Sequence, residues 1–156
     1  MKYAAALLLS LLPLLAQAVQ PGEALASWTL LDQHDQPYSL GPDTRILLVA
    51  RDMDAAKLMK AAMAKRPEGY LEARHAAFVA DIQRMPVLIS KLFAIPAMRD
   101  YGYRVLLDRE GRVASRYDGA EGKVLWLALD NGVLVGRREY VDARALEEAL
   151  AQAVID

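Results

Sequence analysis

Two short runs, Ile46-Leu47-Leu48-Val49-Ala50 and Ala76-Ala77-Phe78-Val79-Ala80, constrain the fold of this chain more than any other feature. Each is apolar at every position, so each calls for cover on both faces, as the central strands of a parallel sheet have. Between them, Asp52 or Asp54 supplies a carboxylate able to accept bonds from free first-turn amides of a helix. The residues that follow place Ala55, Leu58, Met59, Ala62 and Met63 on one helical face, with Lys57, Lys60 and Lys65 mainly on the other. Pro67 and Gly69 stop that helix. Strand, helix and strand in this order predict a parallel pair joined by a right-handed crossover.

The flanking segments complete the pattern. Trp28–Leu31 and Pro37–Leu40 enclose the polar stretch Asp32–Gln36 and read as a hairpin. Pro86 suits the first position of a second helix, with Val87, Leu88, Leu92 and Phe93 as its apolar side. Pro96 is predicted to kink or end it. A short strand is expected at Arg104–Leu107, a turn at Asp108–Gly111 and a short helix at Arg112–Tyr117. Val124–Leu129 is the strongest strand signal, and Asp130-Asn131-Gly132 is a hairpin turn of the kind that needs positive φ. The return strand starts at Val133 and ends near Tyr140. Asp142 caps a last helix carrying Leu146, Ala149, Leu150, Ala153 and Val154 at helical spacing. The expected class is α/β, a mixed central sheet with helices on both faces and an N-terminal hairpin.

The first residues read as an export signal. Lys2 is followed by an apolar run, Ala4–Leu15, broken only by Ser10 and Pro13, and then by Ala16-Gln17-Ala18, the small residues that signal peptidase requires. The run is shorter than the ~20 residues that span a bilayer. A lipid anchor would need a cysteine at the cut, and the chain has none. Residues 1–18 are therefore expected to be a cleaved signal peptide and residues 19–156 a single domain in a bacterial periplasm, without membrane insertion after cleavage. A second small-x-small site, Ala24-Leu25-Ala26, leaves the point of cleavage open. The formal net charge of −1 gives no long-range pull toward nucleic acid, so no nucleic-acid partner is expected.

Three stretches carry a family likeness. Val105–Gly119 (VLLDREGRVASRYDG) is similar to the "LLSDPDGEVAKAYGV" segment of the peroxiredoxin-like branch of the thioredoxin fold, the alkyl hydroperoxide reductase and thiol-specific antioxidant family. Trp126–Leu134 (WLALDNGVL) resembles that family's "FVIDKDGKI" hairpin. Leu31–Leu40 resembles its opening hairpin. The resemblance implies a thioredoxin-like fold with a reactive cysteine just after the first central strand and a cis-proline opposite it. Here those places are Arg51-Asp52-Met53-Asp54 and Glu121-Gly122-Lys123, with no cysteine anywhere and no proline after Pro96. Without a thiolate there is no attack on a peroxide or a disulfide, so thiol oxidoreductase and thiol peroxidase activity are excluded for this chain acting alone.

Any remaining site is expected where ligands gather in open α/β folds, at the carboxyl ends of parallel strands and at helix starts. That points to Arg51, Asp52, Met53 and Asp54, with Met85, Gly122 and Lys123 as neighbours. Arg51 and Lys123 offer charge for a carboxylate or phosphate, but Asp52 and Asp54 would occupy the same amides and repel an anion. At i and i+2 on a helix these two carboxylates diverge, so they are no acid–base pair. His34 between Asp32 and Asp35 reads as turn chemistry, and the lone His75 has no nucleophile beside it. Met53, Met59, Met63, Met85 and Met98 raise copper carriage, since thioethers favour Cu(I), although Met59 and Met63 fall on an apolar helix face better explained by core filling. No glycine-rich phosphate loop is present, and no cofactor, catalytic residue or metal ligand is expected.

The leading reading is an exported, cysteine-free module that binds an unknown protein or small molecule through the former active-site face. Its rivals are a non-thiol enzyme or copper carrier using that face, and a subunit of an envelope complex. The last predicts an exposed apolar patch at Leu92, Phe93 and Ile95. The family likeness also raises a homodimer.

Overall fold

The computed structural model describes residues 18–153. The signal peptide expected at residues 1–18 lies outside the described residues except for Ala18, and Val154 of the expected last helix lies outside them too. Among the described residues, no helix is long and apolar enough to cross a membrane.

The elements run β1 (Thr29–Asp32), β2 (Pro37–Ser39), β3 (Ile46–Ala50), α1 (Met53–Met63), β4 (Ala76–Asp81), α2 (Val87–Ile89), a π-helical stretch (Ser90–Ala94), α3 (Ile95–Met98), β5 (Leu106–Asp108), β6 (Val124–Asp130), β7 (Val133–Tyr140) and α4 (Ala143–Gln152). Short 3-10 turns lie at Glu72–Arg74 and Ala114–Arg116. The strands form one seven-stranded sheet in the order β2-β1-β5-β4-β3-β6-β7. β3, β4 and β5 are parallel to one another, while β6 and β7 close the sheet antiparallel. The two apolar runs are the central strands β3 and β4, and β3 is buried along its whole length.

Capping agrees with the sequence. Asp52 and Asp142 each accept a bond from the amide three residues on, Ala55 N and Ala145 N, at 2.8 and 2.9 Å. Asn131 and Gly132 both take positive φ, 47° and 78°, as a tight hairpin whose twist matches its strands requires.

Both faces of the sheet are covered, but unequally. Ala55, Met59, Ala62 and Met63 of α1, Ile95 of α3 and Leu146 and Leu150 of α4 pack on one face against Ile46, Leu48, Phe78 and Val124. The other face carries Leu47, Val49, Val79 and Leu125 and is covered by Trp28, Val113, Ala114 and Tyr117. The reason is topological. Two right-handed crossovers that step the same way, from β3 to β4 and from β4 to β5, put their helices on the same side. The return from β5 to β6 passes over the opposite face, and there the expected helix Arg112–Tyr117 is only the 3-10 turn Ala114–Arg116. Asp108 holds the turn's start, its Oδ2 accepting from Val113 N and Ala114 N at 2.9 and 2.8 Å. Trp28 Nε1 donates to the Tyr117 hydroxyl at 2.7 Å across this layer. Burial raises the Tyr117 phenol above its ordinary range, partly offset by that bond.

The second helix departs most from expectation. Of the kink or end predicted at Pro96, the end does not occur there: the chain stays helical to Met98, with Pro96 in the first turn of α3. Proline has no N–H to donate backward and its ring crowds the preceding turn. The widened π turn over Ser90–Ala94 sits where that crowding must be relieved.

Candidate functional site

Strand register assembles the candidate residues at one edge of the sheet. Ala50 pairs with Ala80 in parallel and with Val124 in antiparallel register. The residues after Ala50, those after Asp81 and those before Val124 therefore all leave the sheet at the same edge. Arg51–Asp54, Met85 and Gly122–Lys123 are the segments concerned.

Asp52 is the centre of this edge. Its Oδ1 accepts from Ala55 N and its Oδ2 from Gly122 N at 2.6 Å, which ties the start of α1 to the loop before β6. Gly122 has φ of 70°, a left-handed conformation that glycine takes without strain. Arg51 Nη1 donates to Gly119 O at 3.1 Å in the same loop. A Cβ on Gly119 would lie 3.5 Å from Arg51 Cδ and 3.4 Å from Leu125 Cβ, so a bare backbone suits this close approach. Lys123 Nζ lies 3.7 Å from Glu139, whose other oxygen accepts from Ala120 N at 2.9 Å. Asp54 pairs with Lys57 at 3.9 Å in solvent. The charges of Arg51, Asp52 and Lys123 thus have partners within the chain, and an incoming anion would meet the Asp52 carboxylate already on the helix start. Replacing Asp52 with alanine removes a cap worth about 1 kcal/mol and frees the Gly122 amide. Chemical denaturation should show a loss of about 1–2 kcal/mol, and a loss below a few tenths would mean that the tie is not formed in solution.

The methionines do not converge. Met59 and Met63 are buried in the helical layer, Met85 and Met98 pack partly buried against it, and Met53 is half-exposed at the start of α1. Among the described residues, no group of three or more His, Asp or Glu side chains is placed to hold a metal ion.

His34 belongs to a structural turn. Asp32 Oδ1 accepts from the His34 and Gln36 amides at 2.8 and 2.9 Å, and its Oδ2 accepts from Arg104 Nε at 2.8 Å. Burial pushes this carboxyl up, but the Gln36 and His34 amides and the Arg104 guanidinium outweigh it, and the net position is below the ordinary carboxylate value. A depressed folded-state value means that the ionised form stabilises the fold above the unfolded value, about 3.9. That contribution is lost as pH falls through the lower folded value. Asp32→Asn should therefore cost about 1–2 kcal/mol at neutral pH. The gap from wild type should shrink below about pH 4, as acid protonates Asp32 in the native chain. A gap independent of pH would place the ionic contribution elsewhere.

The segment after β4 carries an apolar face that is open to solvent. Val87, Leu88, Leu92 and Phe93, the apolar side expected of this helix, are all exposed, Leu88 at 70 % and Phe93 at 65 %, and Ile89 between them is exposed as well. Of the patch expected at Leu92, Phe93 and Ile95, only Ile95 is buried. Leu88, Ile89, Leu92 and Phe93 follow the i, i+1, i+4, i+5 spacing of one helical face. The segment begins at the carboxyl edge of β4, the edge that carries Asp52 and the exposed Met53. The i, i+4 spacing was readable in the sequence; which way the face points was not.

No family model and no curated protein sequence matches this chain, whereas solved structures do. It is similar to the peroxidoxin BcpB from Mycobacterium tuberculosis, at 19% identity and a TM-score of 0.55, over 85% of this chain and 95% of that one. It is similar to a thio-disulfide isomerase from Thermus thermophilus, at 22% identity and a TM-score of 0.54, over 88% and 99% of the two chains. A peroxiredoxin-like protein from Aquifex aeolicus matches at 10% identity and a TM-score of 0.54, over 88% and 90%. The protein has a thioredoxin-like fold whose neighbours are peroxiredoxin-like and thioredoxin-like. It carries that fold with no cysteine in 156 residues.

Proposed function

We propose that this chain is an exported, thiol-free thioredoxin-fold module that binds a protein partner through the edge of its sheet where Asp52 lies. The leader at residues 1–18 directs it to the periplasm and is removed. One juxtaposition carries the reading. At the position where the family likeness puts a reactive thiol, a carboxylate joins helix to loop, and the same edge leads into an apolar helical face open to solvent. The first feature is a structural tie in place of a reaction centre. The second is a contiguous run of exposed large apolar side chains, Val87, Leu88, Ile89, Leu92 and Phe93, the kind of patch that marks an interaction site. The absence of cysteine supports a role that uses no thiol chemistry.

Native mass spectrometry of the chain purified from periplasm, without added metal or chelator, tests this. The expected species carries the mass of a second protein, lost on mild activation. A small added mass that is lost only on denaturation would instead favour a small-molecule or copper carrier. A bare monomer at every accessible concentration would count against a stable partner.

A further inference from the structure

The described chain begins by pairing with the sheet. Gly22 N donates to Leu134 O at 2.7 Å, Leu134 N to Glu23 O at 2.9 Å and Leu25 N to Gly132 O at 2.8 Å. Ala24 bridges Val133 in antiparallel register. Val19 and Leu25 pack against the cluster that contains Trp28, Leu127 and Leu134. Leu134 is fully buried, so its amide and carbonyl have no water to turn to if these partners leave. The same pairing covers the start of β7, a terminal strand whose open edge would otherwise template pairing with other chains.

This bears on the two small-x-small sites. A cut after Ala26 would remove Gly22, Glu23, Ala24 and Leu25 together and leave the buried Leu134 amide without an acceptor. A cut after Ala18 keeps all of them. Ala18 also follows the apolar run closely, as signal peptidase cleavage requires, whereas Ala26 lies beyond Pro21 and the charged Glu23. We infer that the leader is cut after Ala18, and that residues 19–25 of the exported chain are a built-in edge guard for β7. The inference rests on the export reading proposed above.

The test is the intact mass of the periplasmic form after expression of the full chain with its own leader in a bacterial host. A mass matching residues 19–156 is expected. A mass matching residues 27–156 would overturn the processing site and leave export standing. An uncleaved chain would overturn the export reading and this inference with it. The guard itself is tested in the exported chain by Leu25→Pro, which removes the donor to Gly132 while keeping an extended backbone. Amide exchange at Leu134 should become at least about 10-fold faster and the melting temperature should fall by about 3–5 °C. Unchanged exchange in a folded variant would overturn the structural role. If the variant does not fold, the native chain decides: strong protection of the Leu25 and Leu134 amides is required, and free exchange at both would overturn it.

Discussion

Replacing Arg74 with alanine should destabilise the protein by about 3 kcal/mol, since each charge-assisted hydrogen bond contributes about 1.5–3 kcal/mol. The guanidinium is buried, yet no carboxylate pairs with it among the described contacts. Its Nε donates to Leu150 O at 2.6 Å and its Nη1 to Tyr70 O at 3.1 Å. The guanidinium carbon stands 3.6 Å from the centroid of the Tyr70 ring, which also has the Arg66 guanidinium within 5.2 Å. Arg66 in turn pairs with Glu147. Leu150 lies in the last turn of α4, where a positive charge is favoured; its carbonyl also accepts from the Ala153 amide at 3.2 Å. Arg74 thus fastens the end of α4 to the turn before β4. Removing it takes a donor from the Tyr70 carbonyl, leaves the Leu150 carbonyl with the Ala153 amide alone, and opens a void beside the Tyr70 ring. Arg74→Met keeps the aliphatic volume and should recover part of the loss, which separates packing from charge. Arg74→Lys should not recover it, because an ammonium cannot stack and donate from a fork. Urea unfolding with an unchanged slope would measure the effect. A loss under about 1 kcal/mol would show that water replaces the guanidinium at both carbonyls.

That residue illustrates what the sequence conceals. The central strands were legible because burial on both faces leaves no polar position in Ile46–Ala50. Both long helices were legible from their aspartate caps, and the last hairpin from Asn131-Gly132. These signals are local, written within a few residues of the structure they specify. Arg74, by contrast, reaches a carbonyl 76 positions away, and Asp52 reaches an amide 70 positions away. In the sequence Arg74 is one more charged residue before a strand. Asp52 was visible as a cap, since capping is local, but its second bond depends on the register that sets Val124 beside Ala50. The candidate edge could therefore be located from strand order, while its self-satisfied character could not. The helix after β4 was legible as an amphipathic segment, but its orientation was not. Apolar spacing establishes that a face exists, and only tertiary packing decides whether the core or solvent receives it. Here Ile95 turns inward while Leu92 and Phe93 stay outside.

The double variant Leu92→Asp, Phe93→Asp should separate folding from association. Both side chains are more than half exposed, at 63 % and 65 %. Neither joins the helical-layer cluster that Ile95 enters. Surface changes away from caps, cores and networks shift stability by about 0.5 kcal/mol or less, and aspartate's lower helix propensity adds a few tenths at each position. The melting temperature should therefore move by only about 2–4 °C. Removing the apolar side chains themselves relieves exposed hydrocarbon and works against that small loss. Association should respond very differently. Each carboxylate would have to be desolvated against an apolar partner surface with no counter-charge supplied, a cost of several kcal/mol if fully buried. Binding that depends on this face should weaken by at least about 100-fold, the equivalent of some 2.7 kcal/mol. The protein-sized mass expected in native spectra should then disappear from a chain that still melts cooperatively. Retention of the complex at unchanged affinity would move the interface off this helix. Loss of the cooperative transition would mean instead that Leu92 and Phe93 hold the monomer together, and the reading of their face as a partner surface would fail.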